Sequence, residues 1–207
     1  MQNFSFRMEE AAMDKEERLK QQIEAYQPFN LQEEQDRAEI LRQFETAEHI
    51  MSRENRNAHV TVSAWIVSSD RTKVLMAYHN LYQSWAWLGG HADGEADLKQ
   101  VILKEIEEES GLDTARFLSD DIFSLEILTV DGHEKRGTYV SSHLHLNITF
   151  LLEADPKAPI RIKEDENSAV GWIAVEEIAA KSTEKWFVER IYSKLCEKVR
   201  AREEDLP

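Results

Sequence analysis

Cysteine is almost absent from this chain, which has one, Cys196, among 207 residues. A single cysteine excludes an internal disulfide framework and is typical of proteins from a reducing compartment. Cys196 falls in a stretch with the pattern of an amphipathic helix. We therefore expect it to be a small, half-buried side chain rather than a nucleophile.

Long apolar runs are absent as well. No stretch approaches the roughly 20 consecutive apolar residues that a membrane-spanning helix needs. The first residues, 1–7, lack the apolar core of a signal peptide. We therefore expect a cytoplasmic protein that has no membrane partner.

Positive charge is also scarce, because 25 Lys and Arg stand against 40 Asp and Glu, a formal net charge of −15. A nucleic-acid-binding surface is basic, so we expect no nucleic-acid partner. A small phosphate-bearing substrate remains compatible with this balance, since a bound metal ion supplies positive charge locally.

The N-terminal quarter has a helical pattern and few strand formers. The pattern predicts a first helix over residues 9–26, ended by Pro28, and a second that begins with the capping pair Asn30 and Glu33. Apolar residues recur at helical spacing in the second helix. They are Leu41, Phe44, Ala47, Ile50 and Met51. This stripe packs on the rest of the chain or across a possible homodimer, and we expect a helical extension over 1–55 and a main domain over 56–207.

From residue 59 onward the period changes to two, which is typical of strands. The predicted strands cover 59–67, 73–78, 85–88, 122–130, 143–152 and 169–173. A loop over 131–142 carries two cations and an aromatic residue, and either contacts substrate or is a solvated hairpin connection. Strands on both sides of a glycine–helix unit predict an α/β fold with a mixed sheet.

The central helix is the best-defined element. Asp97 and Gln100 form a capping-box pattern, and Gly111 suits the left-handed residue that ends a helix. Four apolar residues line one side at helical spacing. They are Leu98, Val101, Ile102 and Ile106.

Three acids, Glu105, Glu108 and Glu109, fall on or beside that apolar stripe, whereas Lys104 and Glu107 point away. Like charges three or four residues apart cost roughly 0.2–0.5 kcal/mol per pair, and acids near a helix C-terminus also oppose its dipole. An ordinary solvated acidic face is the alternative. The phase of the acids favours a bound divalent cation, which takes carboxylate oxygen.

The stretch over 90–112 resembles the box of the Nudix family. That box reads Gly, five residues, Glu, seven residues, then Arg-Glu-apolar-any-Glu-Glu-any-Gly-apolar. Residues 104–112 match its second half, with Lys104 in place of the arginine. Gly90 falls on the glycine of the pattern and Ala96 on its first acid, while Glu95 comes one residue early.

The resemblance implies a Nudix-like α/β/α sandwich and Mg²⁺- or Mn²⁺-dependent hydrolysis of a diphosphate linkage, within a nucleoside diphosphate joined to another moiety. It assigns Glu108 and Glu109 as principal metal ligands and Glu105 as a ligand that also serves as a base. It also assigns the carbonyl of Gly90 to the metal and an orienting role to Lys104. In this family an acid before the last strand often assists, and Glu166 is the candidate here.

Three other functions are compatible with parts of the sequence. A diphosphate isomerase of the same fold needs an active-site cysteine, and Cys196 lies far from the box in sequence. A nucleotide-binding module without turnover typically loses box carboxylates, which this chain retains. A helical interaction protein would act through residues 1–55.

A His-x-His pair, His143 and His145, stands on the polar side of the predicted strand over 143–152. Two imidazoles at this spacing could chelate a transition metal. The same side could instead be a half-polar sheet face, or could line the substrate cleft. No carboxylate ligand is close in sequence, which favours the polar face over a zinc site.

Overall fold

The computed structural model describes residues 15–135, 137–164 and 166–204. The helices are α1 (Lys15–Ala25), α2 (Leu31–Thr46), α3 (Leu98–Ser110), α4 (Ile178–Lys181), α5 (Lys185–Phe187) and α6 (Ser193–Glu204). The strands are β1 (Ala58–Val67), β2 (Lys73–His79), β3 (Ser84–Ala86), β4 (Leu88–His91), β5 (Arg116–Phe117), β6 (Ser124–Val130), β7 (His133–Lys135), β8 (Thr138–Val140), β9 (His143–Glu153) and β10 (Asn167–Ala174). The predicted first turns of the first helix, over 9–14, lie outside the described residues.

A mixed sheet organises the fold, as predicted. Its order is β10-β2-β1-β9-β5, with β3 paired to β2, β4 to β1 and β6 to β9. β1 and β9 run parallel along ten residue pairs, while β2 and β4 run antiparallel to β1. All ten residues of β1 are buried, because both faces of the sheet are covered.

Each sheet face has its own apolar core, which confirms the predicted α/β/α sandwich. The first contains Leu98, Ile102 and Ile106 of α3 together with alternate residues of β1. The second contains Trp65 of β1 together with buried residues of the C-terminal helical region. A strand presents successive side chains to opposite faces, so β1 contributes to both cores.

The N-terminal helices pack on the first of these cores. Leu19, Ile23 and Ile40 are buried in it, and Leu41 and Phe44 pack against it. The predicted cap is present, because the Asn30 side chain accepts a hydrogen bond from the Glu33 N–H at 3.0 Å. Ile50 and Met51 are buried as well, but the helix ends at Thr46. The second helix was therefore predicted too long.

One predicted element was wrong in detail. The strand over 85–88 is two strands, β3 and β4, and the two glycines lie inside β4 rather than in a loop. The loop over 131–142 contains the hairpin β7–β8, while its Arg136 lies outside the described residues. The helical stretch that carries Cys196 begins at Lys185 and contains a π-helical segment over Val188–Tyr192.

The polar side of β9 is buried at Asn147 and Thr149 and half-buried at His143 and His145. Asn147 and Thr149 donate to Glu126 at 3.0 and 2.8 Å. Lys194 lies 2.9 Å from Glu126 and 3.1 Å from Glu33. Glu33 comes from α2 and Lys194 from α6, so this charged network joins both ends of the chain to the sheet.

No helix in the described parts of the chain is long and apolar enough to cross a membrane.

Candidate active site

Helix α3 is fixed at both ends by the residues that the sequence indicated. The Asp97 side chain accepts from the Gln100 N–H at 3.4 Å, and the Gln100 amide donates back to the Asp97 carboxylate at 2.9 Å. Gly111 ends the helix with φ of +68°, where a left-handed conformation costs glycine little. Because Ile102 and Ile106 are buried, the phase of the acids on α3 is determined.

Strand β4 runs against the acidic side of α3. The Gly89 N–H donates to Glu109 at 3.2 Å. A Cβ at position 90 would lie 2.4 Å from the carboxyl carbon of Glu105. Gly90 is therefore required because the Glu105 carboxylate lies directly against its backbone. Gly89 is required for another reason, because a Cβ there would lie 2.4 Å from the Val62 carbonyl oxygen.

These carboxylates lack enough positive charge around them. Burial, helped by Glu108 and Glu166, raises the pKa of Glu105. Burial, together with Glu105, raises the pKa of Glu109 to about 8. A hard divalent cation fits this set, because it takes carboxylate and carbonyl oxygen and supplies the missing charge.

Lys163 is a half-buried cation at this cluster. Its Nζ lies 3.4 Å from Glu108 and 3.0 Å from Glu166. Burial lowers the pKa of Lys163, but the two carboxylates outweigh burial and raise it overall. Sequence reasoning missed this residue, for which the only signal was a basic side chain next to an acidic stretch.

The segment that carries Lys163 and Glu166 is attached to the end of α3. The Arg161 N–H donates to the Ser110 carbonyl at 2.7 Å, and the Asn167 side chain donates to the Glu109 carbonyl at 2.9 Å. Both contacts satisfy carbonyls that a helix end leaves without partners. They place Glu166 beside the box acids, although it follows Glu109 by 57 residues in the sequence.

The remaining predicted residues lie at the margin of the cluster or outside it. Lys104 is exposed, with its Nζ 3.5 Å from Glu108, and Glu107 is exposed. Glu95 accepts from the Asp97 N–H at 2.7 Å and from Lys15 at 3.0 Å. Those contacts are at the N-terminal end of α3, whereas the acid cluster is at the other end.

A separate group of histidines lies on the other side of β4. Ligand atoms of His59, His91 and His145 lie within 4.8 Å of one another, and His143 Nε2 is 3.2 Å from His145 Nε2. Burial, reinforced by the neighbouring histidines, lowers the pKa of His145 to about 2, and burial lowers that of His59. The sequence pointed to the pair on β9 but not to His59 or His91, which strand register brings to it.

Cys196 does not belong to either group. It packs against the second apolar core, whereas α3 packs on the first. Burial raises the pKa of its thiol to about 11. A protonated thiol in the opposite layer gives no support to isomerase chemistry.

Residues 57–195 match the family model described as the NUDIX domain. The chain belongs to the Nudix family. This confirms the predicted family and its enzyme class, the pyrophosphohydrolases that act on phosphorus-containing anhydrides. No curated protein matches the chain.

Solved structures share the fold. A Caenorhabditis elegans Ap4A hydrolase binary complex aligns with a TM-score of 0.50 at 16% identity, over 71% of this chain and 98% of that one. The NUDIX domain of Shewanella oneidensis NrtR, in complex with ADP-ribose, aligns with a TM-score of 0.50 at 15% identity, over 78% and 97%.

Proposed function

We propose that this Nudix protein is a divalent-metal-dependent hydrolase that cleaves a diphosphate linkage in a nucleoside diphosphate joined to another moiety. The observation that carries the proposal is the meeting of four carboxylates beside the two glycines of β4. They are Glu105, Glu108, Glu109 and Glu166. Buried carboxylates that repel one another need compensating positive charge, which a bound divalent cation would supply.

The metal ligands in this proposal are Glu105, Glu108, Glu109 and the carbonyl of Gly90. Their oxygen donors suit Mg²⁺ or Mn²⁺. When bound, such an ion polarises phosphoryl oxygens and lowers the pKa of a coordinated water. This chemistry compensates for the negative charge that both the protein and its substrate bring to the site.

Glu105 is the proposed proton acceptor for the attacking water. A carboxylate accepts a proton better when its pKa is raised toward neutrality, and burial raises that of Glu105. The contact with Gly90 fixes where this carboxylate lies. Glu166 is the second candidate for the same step, since its carboxylate lies close enough to Glu105 for its charge to raise the pKa of that residue.

Lys163 has two proposed tasks. By pairing with both Glu108 and Glu166 it holds side chains from two parts of the chain in one place. Its ammonium group also offers positive charge to substrate phosphates. Lys104 restrains Glu108 from the exposed side of α3.

A substrate panel tests the proposal. ADP-ribose and Ap4A head the panel, because solved structures of this fold concern them. Nucleotide sugars, dinucleotides, nucleoside triphosphates and coenzyme A complete it. Each compound is incubated with Mg²⁺, Mn²⁺ or chelator, and the products are separated by chromatography.

Turnover of at least one compound, present with metal and absent in chelator, is the expected result. Saturable nucleotide binding by calorimetry without turnover would instead favour a nucleotide-binding module. Glu108→Gln serves as the inactive reference, so that a contaminating hydrolase is recognised.

A further inference from the structure

Four histidines from three adjacent strands converge on the sheet face opposite to the acid cluster. We propose that they form a second metal site, which binds a divalent transition metal such as Zn²⁺ through imidazole nitrogens. Its ligands are His59 of β1, His91 of β4 and His145 of β9. His143 of β9, which contacts His145, is the fourth ligand that we propose. The site differs in location and in donor chemistry from the carboxylates of the box.

Strand register brings the imidazoles together. His59 lies opposite His145 in the parallel β1–β9 pair. His91 lies opposite Thr61, and Thr61 follows His59 by two residues. His143 precedes His145 by two residues on β9. Side chains two residues apart on a strand share a face, so all four point to the same side. The ring centroid of His59 is 5.2, 4.9 and 5.1 Å from those of His91, His143 and His145.

Backbone carbonyls fix the tautomer of two of these rings. His59 Nδ1 is 3.0 Å from the Asn55 carbonyl, and His143 Nδ1 is 2.8 Å from the Ser141 carbonyl. A carbonyl oxygen only accepts, so each Nδ1 carries the proton and each Nε2 carries the lone pair. Metal-binding histidines commonly donate their other ring N–H to a carbonyl in this way.

The Nε2 atom of His59 is the second indication of a ligand. The side chain is 4% exposed, and this nitrogen has no hydrogen-bond partner among the described residues. A buried nitrogen without a partner is unfavourable. A metal ion would satisfy it, because its lone pair is otherwise unused among three other imidazole rings.

His143 and His145 are hydrogen-bonded through their Nε2 atoms, and this spacing also suits one shared ion. Their Nε2 atoms are 3.2 Å apart. Two nitrogens that each lie about 2.0–2.1 Å from a tetrahedral zinc ion are roughly 3.3 Å apart. Imidazole suits Zn²⁺, Cu²⁺ and Ni²⁺, whereas Mg²⁺ prefers oxygen, so the two sites select different ions.

The histidine site is linked to the box through β4. His91 directly follows Gly90, and neighbouring residues of a strand face opposite sides. An ion at the histidines therefore ties β4 to β1 and β9 on one side, while Glu105 lies against Gly90 on the other. Occupancy of the histidine site would therefore fix β4, the strand against which the Glu105 carboxylate lies.

The test is a titration of untagged, chelator-stripped full chain with Co²⁺ alone, followed by its visible ligand-field absorption. We expect one ion per chain in a tetrahedral nitrogen environment, displaced by Zn²⁺. His145→Gln should weaken the binding by at least about 100-fold, because the loss of a second-shell partner alone costs about 10–100-fold. His49→Asn is the matched control, because His49 is exposed and its φ of +57° suits asparagine.

Glu109→Gln separates this site from the proposed active site, since it should retain the cobalt spectrum. Because His59 is buried, ¹⁵N NMR of the wild-type imidazoles gives a measurement that needs no substitution. Zn²⁺ should shift the Nε2 resonances of His59 and His145 and leave that of His49 unchanged. Unchanged resonances, or a cobalt spectrum that survives in His145→Gln, would overturn the proposal.

Discussion

The carboxylate of Glu105 lies against the backbone of Gly90, so close that a Cβ at position 90 would be 2.4 Å from its Cδ and Oε1. One residue comes from a helix and the other from the neighbouring strand. The absence of a side chain at position 90 thus determines where the proposed base lies.

Gly90→Ala should lower kcat/KM by about 100-fold, because a displacement of about 1 Å at a catalytic group has that scale of effect. The thermal midpoint should change little if Glu105 moves outward. Gly171→Ala is the matched control, since its Cβ would meet Trp85 at an ordinary 3.6 Å. Equal activity of the two variants would contradict the placement of Glu105.

The positions of the glutamates around α3 lead to a second prediction. Glu108→Gln should lower turnover by at least about 100-fold, the scale for removing a preorganised electrostatic group. Glu107→Gln should change turnover little. Glu107 is adjacent in sequence and exposed like Glu108, but it lies on another side of the helix. Steady-state kinetics at saturating Mg²⁺ compares the two. Similar losses at both positions would show that the metal is held elsewhere.

Signals that are local in the sequence predicted helix α3 correctly. Asp97 and Gly111 act on the backbone within a few residues of themselves, so they define the ends of α3 without any tertiary information. The apolar stripe then sets the side on which Glu105 and Glu109 lie. The family resemblance added the sandwich, which periodicity alone left as one α/β arrangement among several.

What the sequence could not supply is the pairing of distant elements. Lys163 reaches Glu108 because its segment donates to the end of α3, and no pattern around Lys163 encodes that contact. His59 and His91 meet His145 only through the register of three strands. Strand register depends on the whole sheet, so a His-x-His pair alone could not distinguish a polar face from a metal site.

The buried network beneath β9 gives a third prediction. Lys194→Met leaves Glu33 and Glu126 buried without this cation, and breaking such a pair costs about 3–5 kcal/mol. Lys20→Met is the control, since Lys20 pairs with an exposed Glu45 at 3.7 Å and should cost about 1 kcal/mol or less. Urea unfolding measures both. A loss below about 1 kcal/mol in Lys194→Met would show that water replaces the ammonium group.

Acid should weaken the same network. Burial raises the pKa of Glu33, but Lys194 and Lys198 outweigh burial and lower it from 4.5 to about 2. A lowered folded-state pKa gives stability that is present above about pH 4.5 and is lost as pH falls toward 2. The free energy of unfolding should therefore fall over this range, and less steeply in Glu33→Gln. Glu34 is an exposed neighbour, so Glu34→Gln should retain the wild-type slope of unfolding free energy against pH. If Glu33→Gln has that same slope, the acid sensitivity does not come from Glu33.

The last prediction concerns the acid cluster without metal. Burial and the charge of Glu105 both oppose ionisation of Glu109, so Glu109→Gln should stabilise the metal-free protein, by about 0.5–2 kcal/mol. The amide oxygen can still accept the Gly89 N–H. Metal should stabilise the wild type by about 2.7 kcal/mol at a hundredfold excess over its dissociation constant.

Thermal melts in chelator and in Mg²⁺ compare wild type, Glu109→Gln and Glu107→Gln. Glu109→Gln should melt higher in chelator and gain less from Mg²⁺, while Glu107→Gln follows the wild type. A Glu109→Gln protein that melts lower in chelator and gains as much from Mg²⁺ would mean that Glu109 is held by a protein partner, and that these acids are structural.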